Sequence, residues 1–429
     1  MSKGGAWRLS IGLLLLGGIF LWLYSHKLWT NAEERRLDSL LRIPPSDLPV
    51  TKEDSPDLPP ITTTPEPQNI DEMDTLPTLA AAWGTAAARP PRCHNCVAIA
   101  IIGIDSRLND PTPHADANHV LLIELPSGRI TIVAIPRDTP ADAGFPDTSQ
   151  FNKLTNVRAH RGLQAHLTTL AQLVGIPAIH YYAEISFSQA FALLRLLRFE
   201  NPSDVLRILR ARTGIWEDDY HRVYTQAQFI RQQILRWFDS YDTPWGLALL
   251  RGALSLVRTN LTVGVLTRLA DSLHVHGFPA DAASVPIVVY GVPLRQALVH
   301  DFSDPMTVTI LAEKLRRRDQ RARSRTGPNS HQEQVRSLLS AALSRARQAV
   351  ERQRYREVIR LLSPLLQQRA WWQLDDPNER AAYRSTIVEL LSLAYDRLRK
   401  PQQASALRTD FLQQEAQLEE ALSQTIPPP

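Results

Sequence analysis

Cysteine is almost absent from this chain of 429 residues: it has two, Cys93 and Cys96. A Cys-x-x-Cys pair can form half of a structural zinc site, but the sequence has no second pair to complete one. We therefore expect a local disulfide or two free thiols at a domain edge. A redox or metal-binding role for the pair is the alternative.

A strong excess of one charge is also lacking. The formal net charge is +4, with 44% hydrophobic and 21% charged residues. Such a composition is typical of a mostly globular chain. The mild positive excess suits an anionic substrate or surface, but it is too small to indicate a nucleic-acid-binding protein.

Long apolar runs are rare, and the only one that approaches membrane-spanning length covers residues 10–24. With Trp7 and Trp29 as interfacial aromatics, the segment reaches roughly the 20 residues that a transmembrane helix needs. A cleaved signal peptide is the alternative, although no small-x-small cleavage site follows. Lys3 and Arg8 precede the run and favour a cytoplasmic N-terminus, so we expect the rest of the chain to lie outside the cytoplasm.

Composition divides the chain into four predicted regions. Residues 1–29 are predicted as a cytoplasmic tip and transmembrane anchor, and residues 30–92 as a proline-rich extracytoplasmic linker. Residues 93–325 alternate apolar strand patterns with helix patterns, which indicates an α/β sandwich. Residues 331–425 show helical spacing and no strand pattern. They are predicted to form two helical hairpins, either tetratricopeptide-like repeats or a plain helical bundle.

Within the α/β region the periodicity predicts strands separated by amphipathic helices. The predicted strands cover residues 97–104, 119–125, 130–135, 180–185 and 284–290. The predicted helices cover residues 163–174, 187–198, 225–238, 247–257 and 266–273.

Two aspartates lie close to the ends of predicted strands. Asp105 follows the first strand in Gly-Ile-Asp-Ser-Arg, and Asp116 shortly precedes the second. This placement lets the two carboxylates meet at one edge of a sheet. Carboxylate oxygens there can hold Mg²⁺, or Mn²⁺, against a phosphate. Each aspartate taken alone is more often a solvated charge or part of a structural ion pair.

Arginines recur beside these carboxylates and further along the chain. Arg107 lies two residues past Asp105, and Arg137 follows the third strand in Ile-Pro-Arg-Asp-Thr. The planar fork of an arginine grips phosphate oxygens in a bidentate way. The later polar residues that share this chemistry are Arg210, Arg212, Asp219, Arg222 and Gln226. The last three have i, i+3 and i+7 spacing, which places them on one face of a helix.

Together these motifs resemble the LytR-CpsA-Psr family of cell-envelope phosphotransferases, over roughly residues 97–275. The lysine-containing loop at residues 151–156, Gly-Ile-Pro at residues 175–177 and Thr-Asn-Leu-Thr at residues 259–262 add to the resemblance. It implies a central mixed β-sheet sandwiched by helices. It also implies an enzyme that moves a glycopolymer from a polyprenyl-pyrophosphate carrier to peptidoglycan as a phosphodiester, with lipid pyrophosphatase activity when no acceptor is present.

The resemblance also implies a role for each matching residue. Asp105 and Asp116 would bind the metal ion. Asp219 would orient the arginines. The implied pyrophosphate-binding residues are Arg107, Arg137, Arg210, Arg212, Arg222 and Gln226. The implied catalytic group is Arg137, Arg210, Arg212, Asp219 and Arg222. The apolar helix that begins at Phe187 is expected to line a tunnel for the lipid.

The sequence departs from the family pattern in three places. His114 replaces an arginine two residues before the second aspartate, and Thr225 replaces an arginine just before the glutamine. The segment between Leu197 and Arg210 is short. These departures keep a second interpretation open, a non-catalytic envelope scaffold that binds lipid pyrophosphate or glycan and recruits a protein through its C-terminal helices. Those helices follow the last family-like segment, and we expect them to be dispensable for chemistry.

Overall fold

The computed structural model describes residues 82–91, 93, 96–105, 113–211, 218–279, 281–323 and 331–423. These residues form an α/β part followed by a helical C-terminal region, as the sequence predicts. Runs of β-branched and aliphatic residues form the strands, and segments with apolar residues at helical spacing form the helices.

The strands of the described residues are β1 (Ala82–Ala86), β2 (Cys96–Asp105), β3 (His114–Glu124), β4 (Arg129–Ile135), β5 (Tyr181–Ser186), β6 (Arg258–Thr259), β7 (Ile287–Val289) and β8 (Leu294–Val299). The helices of the α/β part are α1 (Leu154–Val174), α2 (Phe187–Leu196), α3 (Pro202–Arg210), α4 (Asp219–Trp237), α5 (Pro244–Leu256), α6 (Val263–Val275) and α7 (Pro305–Arg323). The C-terminal helices are α8 (His331–Glu351), α9 (Tyr355–Gln367), α10 (Pro377–Arg397), α11 (Pro401–Ala406) and α12 (Leu412–Ser423).

The main sheet is mixed and six-stranded, with strand order β6-β5-β2-β3-β4-β7. Strand β2 pairs antiparallel with β3 and parallel with β5, and β4 pairs parallel with β7. Helix α1 covers one face, where Leu154 and Leu170 pack against Ile102 and Val133. Residues of α4 and α6, such as Val223 and Leu273, cover the opposite face. The predicted sandwich of helices around a central mixed sheet is therefore confirmed.

A short second sheet corrects the predicted linker. Residues 82–86 of the segment assigned to the linker form β1, which pairs antiparallel with β8. The run Ala-Trp-Gly-Thr-Ala contains no proline, so each of its amides can donate to a neighbouring strand. The prolines at positions 90 and 91 follow only after this strand has ended.

The C-terminal region shares a hydrophobic core with the α/β part. Ala192 and Leu196 of α2 and Leu256 of α5 belong to the same buried cluster as Trp371 and Trp372. Two helices of the α/β part are therefore covered by C-terminal helices. This packing argues against the expectation that the C-terminal helices are dispensable, because their removal would expose the apolar faces of α2 and α5 to water.

The same packing corrects the expected role of α2 in lining a lipid tunnel. Phe191 and Leu194 pack in a cluster with Leu311 and Leu315 of α7. Ala192 and the following turn face the C-terminal helices. The apolar side chains of α2 thus pack against α7 on one side and against the C-terminal helices on another.

Cys93 and Cys96 form a disulfide, the first of the alternatives that the sequence leaves open. The predicted anchor at residues 10–24 lies outside the described residues. Among the helices that are described, none is both long enough and apolar enough to cross a membrane.

Candidate functional site

The candidate site lies at the open end of the β2–β3 hairpin. Asp105 is the last residue of β2 and pairs with His114, the first residue of β3. The register shifts between Gly103, which pairs with Ala117, and Ile104, which pairs with Ala115. Asp116 is the extra residue of this β-bulge. Bulges redirect side chains at the ends of ladders, and this one sets the position of Asp116.

Asp116 is the centre of a small network of charged groups. Nη1 of Arg137 donates a hydrogen bond of 2.9 Å to Oδ1 of Asp116. The hydroxyl of Thr155 lies 3.5 Å from the same oxygen. Nη2 of Arg222 donates to the backbone carbonyl oxygen of Asp116 at 3.3 Å. Strands β3 and β4 and helices α1 and α4 thus meet at one residue.

Asp219 holds Arg222 in place from the same helix. Its Oδ1 accepts from Nη2 of Arg222 at 2.7 Å, across one turn of α4. The side chain of Arg222 is only 4% exposed, and a buried guanidinium requires such a partner. The predicted common face of α4 is therefore present, and one pair of its residues is joined in the geometry that the sequence spacing indicates.

A second ion pair joins Asp105 to the end of α3. Nη2 of Arg210 lies 3.7 Å from Oδ1 of Asp105, and the Arg210 side chain is 55% exposed. Nε2 of Gln226 donates to the carbonyl oxygen of Leu209 at 2.8 Å. Gln226 therefore holds the end of α3, which carries Arg210. Its Nε2 already has a hydrogen-bond acceptor in the described structure.

Buried polar atoms at the site that form no hydrogen bond among the described residues include Nε of Arg137, Oδ2 of Asp219 and Oε1 of Gln226. Unsatisfied buried groups are uncommon in folded proteins and call for an explanation. Nε of Arg137 has only a loose ion pair with Oδ2 of Asp138, at 3.7 Å, so its N–H group can turn to an anion. The two oxygens can accept from a further donor.

Two predicted site residues, Arg107 and Arg212, lie outside the described residues. Of the three departures from the family pattern, the two single-residue changes, His114 and Thr225, lie within the described residues. Nδ1 of His114 is 3.1 Å from Oδ1 of Asn156. Thr225 is buried, and its hydroxyl donates to the carbonyl oxygen of His221 within α4. The threonine hydroxyl therefore bonds to the backbone of its own helix one turn earlier, and it does not take the place of a phosphate-binding arginine.

Aromatic rings continue from His114 along the surface. The centroids of His114 and His160 are 6.4 Å apart, and those of His160 and Phe145 are 4.6 Å apart. Phe145 lies 5.6 Å from Phe151, which is 60% exposed. The amide of Asn152 holds this loop by bonding to the backbone of residues 143 and 145.

A cavity of about 750 Å³ lies at the other end of β2 and β3, beside Cys96 and Glu124. None of the predicted site residues lines it. This cavity is therefore a feature separate from the candidate site.

Comparison with known proteins shows what one segment of the chain is similar to. Residues 81–194 match the model of the LytR_cpsA_psr family. The resemblance predicted from the sequence motifs is thereby confirmed over that segment. The match includes β2 and β3, which carry Asp105 and Asp116, and β4, which Arg137 follows by two residues.

Solved structures with a partial likeness include B. subtilis TagV, at 16% identity over 53% of this chain and 98% of TagV, with a TM-score of 0.38. An Enterococcus faecalis protein described as a transcriptional regulator shares 18% identity over 52% of this chain and 87% of its own, with a TM-score of 0.36. TagT bound to LI-WTA shares 14% identity over 52% and 90%, with a TM-score of 0.33. No curated protein sequence matches significantly.

Sequence reasoning did not assign roles to several residues that adjoin the site. Thr155 belongs to the lysine-containing loop, so its motif was a usable signal. Phe187 was expected only as the start of a tunnel-lining helix, and His331 had no local signal, because only the tertiary structure brings them next to Arg210.

Proposed function

We propose that this protein is a membrane-anchored extracytoplasmic transferase of cell-wall glycopolymers. It would move a glycopolymer from a polyprenyl-pyrophosphate carrier to peptidoglycan as a phosphodiester. The observation that carries the proposal is the convergence on Asp116, where Arg137 and Arg222 meet one aspartate from different elements of the fold. Asp105 and Arg210 adjoin this group through the paired ends of β2 and β3.

The charges of the site suit a pyrophosphate. Arg210 is exposed and only loosely paired with Asp105 at 3.7 Å, so its guanidinium can turn towards an anion. Nε of Arg137 is buried and forms no hydrogen bond among the described residues, and it is only loosely paired with Oδ2 of Asp138 at 3.7 Å. We expect Arg107 and Arg212 to add two further cations. Arginine forks bind phosphate oxygens in bidentate geometry, which holds a pyrophosphate in one orientation.

The donor set also suits Mg²⁺ or Mn²⁺. Among the described residues no group of three or more histidine, cysteine or acidic side chains is arranged to hold a metal ion. Mg²⁺, however, is commonly held by one or two carboxylates together with substrate phosphate oxygens and water. Asp105 and Asp116 would be the protein ligands, and the ion would neutralise charge on the pyrophosphate.

The proposed reaction is a phosphoryl transfer. A hydroxyl oxygen of the cell wall attacks the phosphorus next to the glycan, and the bond from that phosphorus to the bridging oxygen breaks. The lipid monophosphate leaves with the bridging oxygen, and one proton is released. Such a transfer depends on in-line positioning and charge neutralisation more than on a dedicated nucleophile. In this chain Arg137, Arg210 and Arg222 would supply that neutralisation, and Asp219 would hold Arg222 in position.

The alternative function is a scaffold that binds lipid pyrophosphate or glycan without turnover. One observation favours it specifically: Thr225 is buried and bonded within α4, so the cation that the family places there has no substitute at this position. The two functions differ in a measurable way, because a scaffold binds the ligand and leaves it intact.

The experiment uses the full chain in detergent with Mg²⁺ and geranylgeranyl pyrophosphate, and it measures release of the lipid monophosphate. Arg210→Ala combined with Arg212→Ala should reduce the rate by about 10²–10³, the usual effect of removing a group that stabilises transition-state charge. Arg137→Lys should reduce the rate of lipid monophosphate release to a similar extent, because an ammonium group lacks the bidentate fork of a guanidinium. Arg360→Ala is the matched control, since Arg360 is 63% exposed on α9.

Asp116→Asn tests the metal dependence, and we expect it to require a higher Mg²⁺ concentration. Binding of geranylgeranyl pyrophosphate without turnover by the wild-type chain would favour the scaffold. Unchanged turnover in a folded Arg210→Ala, Arg212→Ala variant would exclude the arginine clamp.

A further inference from the structure

The guanidinium of Arg210 rests on an aromatic ring from the start of α2. Its Cζ lies 4.6 Å from the centroid of Phe187, within the range of a cation–π contact. The same guanidinium reaches Asp105 at 3.7 Å. Arg210 is the last residue of α3 and is largely exposed, so contact with this ring limits where its side chain can point.

The turn that carries Phe187 is held by the C-terminal region. Nε2 of Gln373 donates a 2.7 Å hydrogen bond to the hydroxyl of Ser188, and both residues are buried. Nε2 of Gln189 donates to the carbonyl oxygen of Gln367 at 3.3 Å. These contacts lie one and two residues after Phe187. The C-terminal region therefore sets the position of the first turn of α2.

His331, the first residue of α8, completes the aromatic group. Its ring is parallel to that of Phe191, with centroids 5.9 Å apart, and edge-on to that of Phe187 at 6.0 Å. Desolvation and, to a lesser degree, the charge of Arg210 lower the pKa of the imidazole. At neutral pH the ring is therefore uncharged and can lie beside Arg210 without repelling it.

We propose that the C-terminal helical region is a working part of the candidate site, and that His331 is a positioning residue for Arg210. The imidazole supports Phe187 and Phe191, and Phe187 in turn supports the guanidinium. This inference rests on the proposed function only in that Arg210 binds a phosphate group. It assigns to the C-terminal helices a role in ligand binding that the α/β part cannot supply alone.

The expected effect is modest and specific. A pair of aromatic rings contributes a few-fold to an equilibrium, so loss of the imidazole should weaken anion binding about threefold to tenfold. His331→Phe should retain most of the affinity, because a phenyl ring preserves the contact with Phe187 and Phe191. Since His331 is the first residue of α8 and is not among the buried core residues, both variants should fold.

The experiment measures binding of inorganic pyrophosphate with Mg²⁺ to the full chain by isothermal titration calorimetry. The variants are His331→Ala, His331→Phe, Arg210→Ala and the combination of His331→Ala with Arg210→Ala. If His331 acts through Arg210, the combined variant should bind no more weakly than Arg210→Ala alone. Arg336→Gln is the control, because it breaks the ion pair of α8 with Glu379 but leaves the ring group intact.

The outcomes separate the inference from the proposed function. No loss of binding in Arg210→Ala would overturn the arginine clamp and the inference with it. Loss in Arg210→Ala with wild-type binding in His331→Ala would overturn the inference alone. Additive losses would show that His331 contacts the ligand independently and is not a positioning residue. An equal loss in Arg336→Gln would show a general effect of weakening α8.

Discussion

Glu415 is the residue whose replacement should reveal most about how the two parts of the chain depend on each other. It lies on α12 and is completely buried. Its Oε1 accepts from Nε of Arg369 at 2.6 Å, and its Oε2 accepts from the indole N–H groups of Trp371 and Trp372 at 3.1 and 3.2 Å. Nη1 of Arg369 also donates to the carbonyl oxygen of Ser255 in α5. One carboxylate thus organises the contact between α5 and the C-terminal helices.

The expected loss of stability follows from the buried donors that lose their acceptor when Glu415 is replaced. In Glu415→Leu the guanidinium of Arg369 remains buried without its partner, which typically costs about 3–5 kcal/mol. The two indole N–H groups also lose their acceptor, and each unsatisfied donor costs on the order of 1–3 kcal/mol in isolation. These effects share one site and do not add fully, so we expect a loss of at least about 4 kcal/mol. That is a large fraction of a typical domain stability.

Differential scanning calorimetry of the full chain measures the effect. Because α2 and α5 share their core with the C-terminal helices, the α/β part and the helical region should unfold together and at a lower temperature in the variant. Glu389→Gln, an exposed change on α10, is the control and should shift stability by less than about 0.5 kcal/mol.

A different calorimetric result would refute this reasoning. If Glu415→Leu lowered the melting temperature of one unfolding transition and left that of a second transition unchanged, the helical region would be an independent unit. The original expectation that these helices are dispensable would then regain support.

Two further predictions rest on the structure, and a third rests on the sequence of the N-terminal segment. Phe151→Ala should weaken binding of a glycan-linked lipid pyrophosphate about threefold to tenfold and leave inorganic pyrophosphate binding unchanged, because the exposed ring offers a stacking surface for a sugar. Burial lowers the pKa of His119 and His300 to about 4 and that of His166 to about 3, whereas the unfolded value is 6.5. Because these histidines stay neutral in the folded protein, their contribution to the free energy of unfolding is complete above pH 6.5. As the pH drops below 6.5 this contribution is lost, by about 2 kcal/mol per histidine at pH 5. Chemical denaturation at pH 7 and pH 5 checks this prediction, and equal denaturation midpoints would contradict it. A cysteine introduced by Ser330→Cys should react with an impermeant reagent in intact cells, and labelling only after lysis would reverse the predicted topology.

Much of the α/β part was predictable because its signals are local. The apolar runs before Asp105 and Arg137 are long and rich in β-branched residues, and the structure contains strands at both places. The spacing of Asp219 and Arg222 predicted one helix face, and the two side chains are paired there. The predicted ends of the strands were less accurate than their existence. The strand predicted from residue 119 begins at His114, since the alternating polar residues at its start hide a paired segment.

Other features had weak or misleading signals. The sequence left the segment before Arg210 unassigned, but it forms α3 with proline in its first turn. Residues 82–86 were assigned to the linker because prolines dominate their surroundings. Their pairing with β8 depends on a strand more than 200 positions away along the chain, and no local pattern reports it.

The sequence by itself determined which carboxylates and arginines stand at the ends of apolar runs, because strand ends collect such residues at one edge of a sheet. That these residues bind a phosphate and a hard cation stays a prediction. Only the tertiary structure decided how these residues are supported. The bulge at Asp116 and the contact of Phe187 with Arg210 arise from pairing and packing between segments far apart in the chain. The merging of the C-terminal helices with α2 and α5 has the same origin, since an apolar helix face does not encode which other face will cover it.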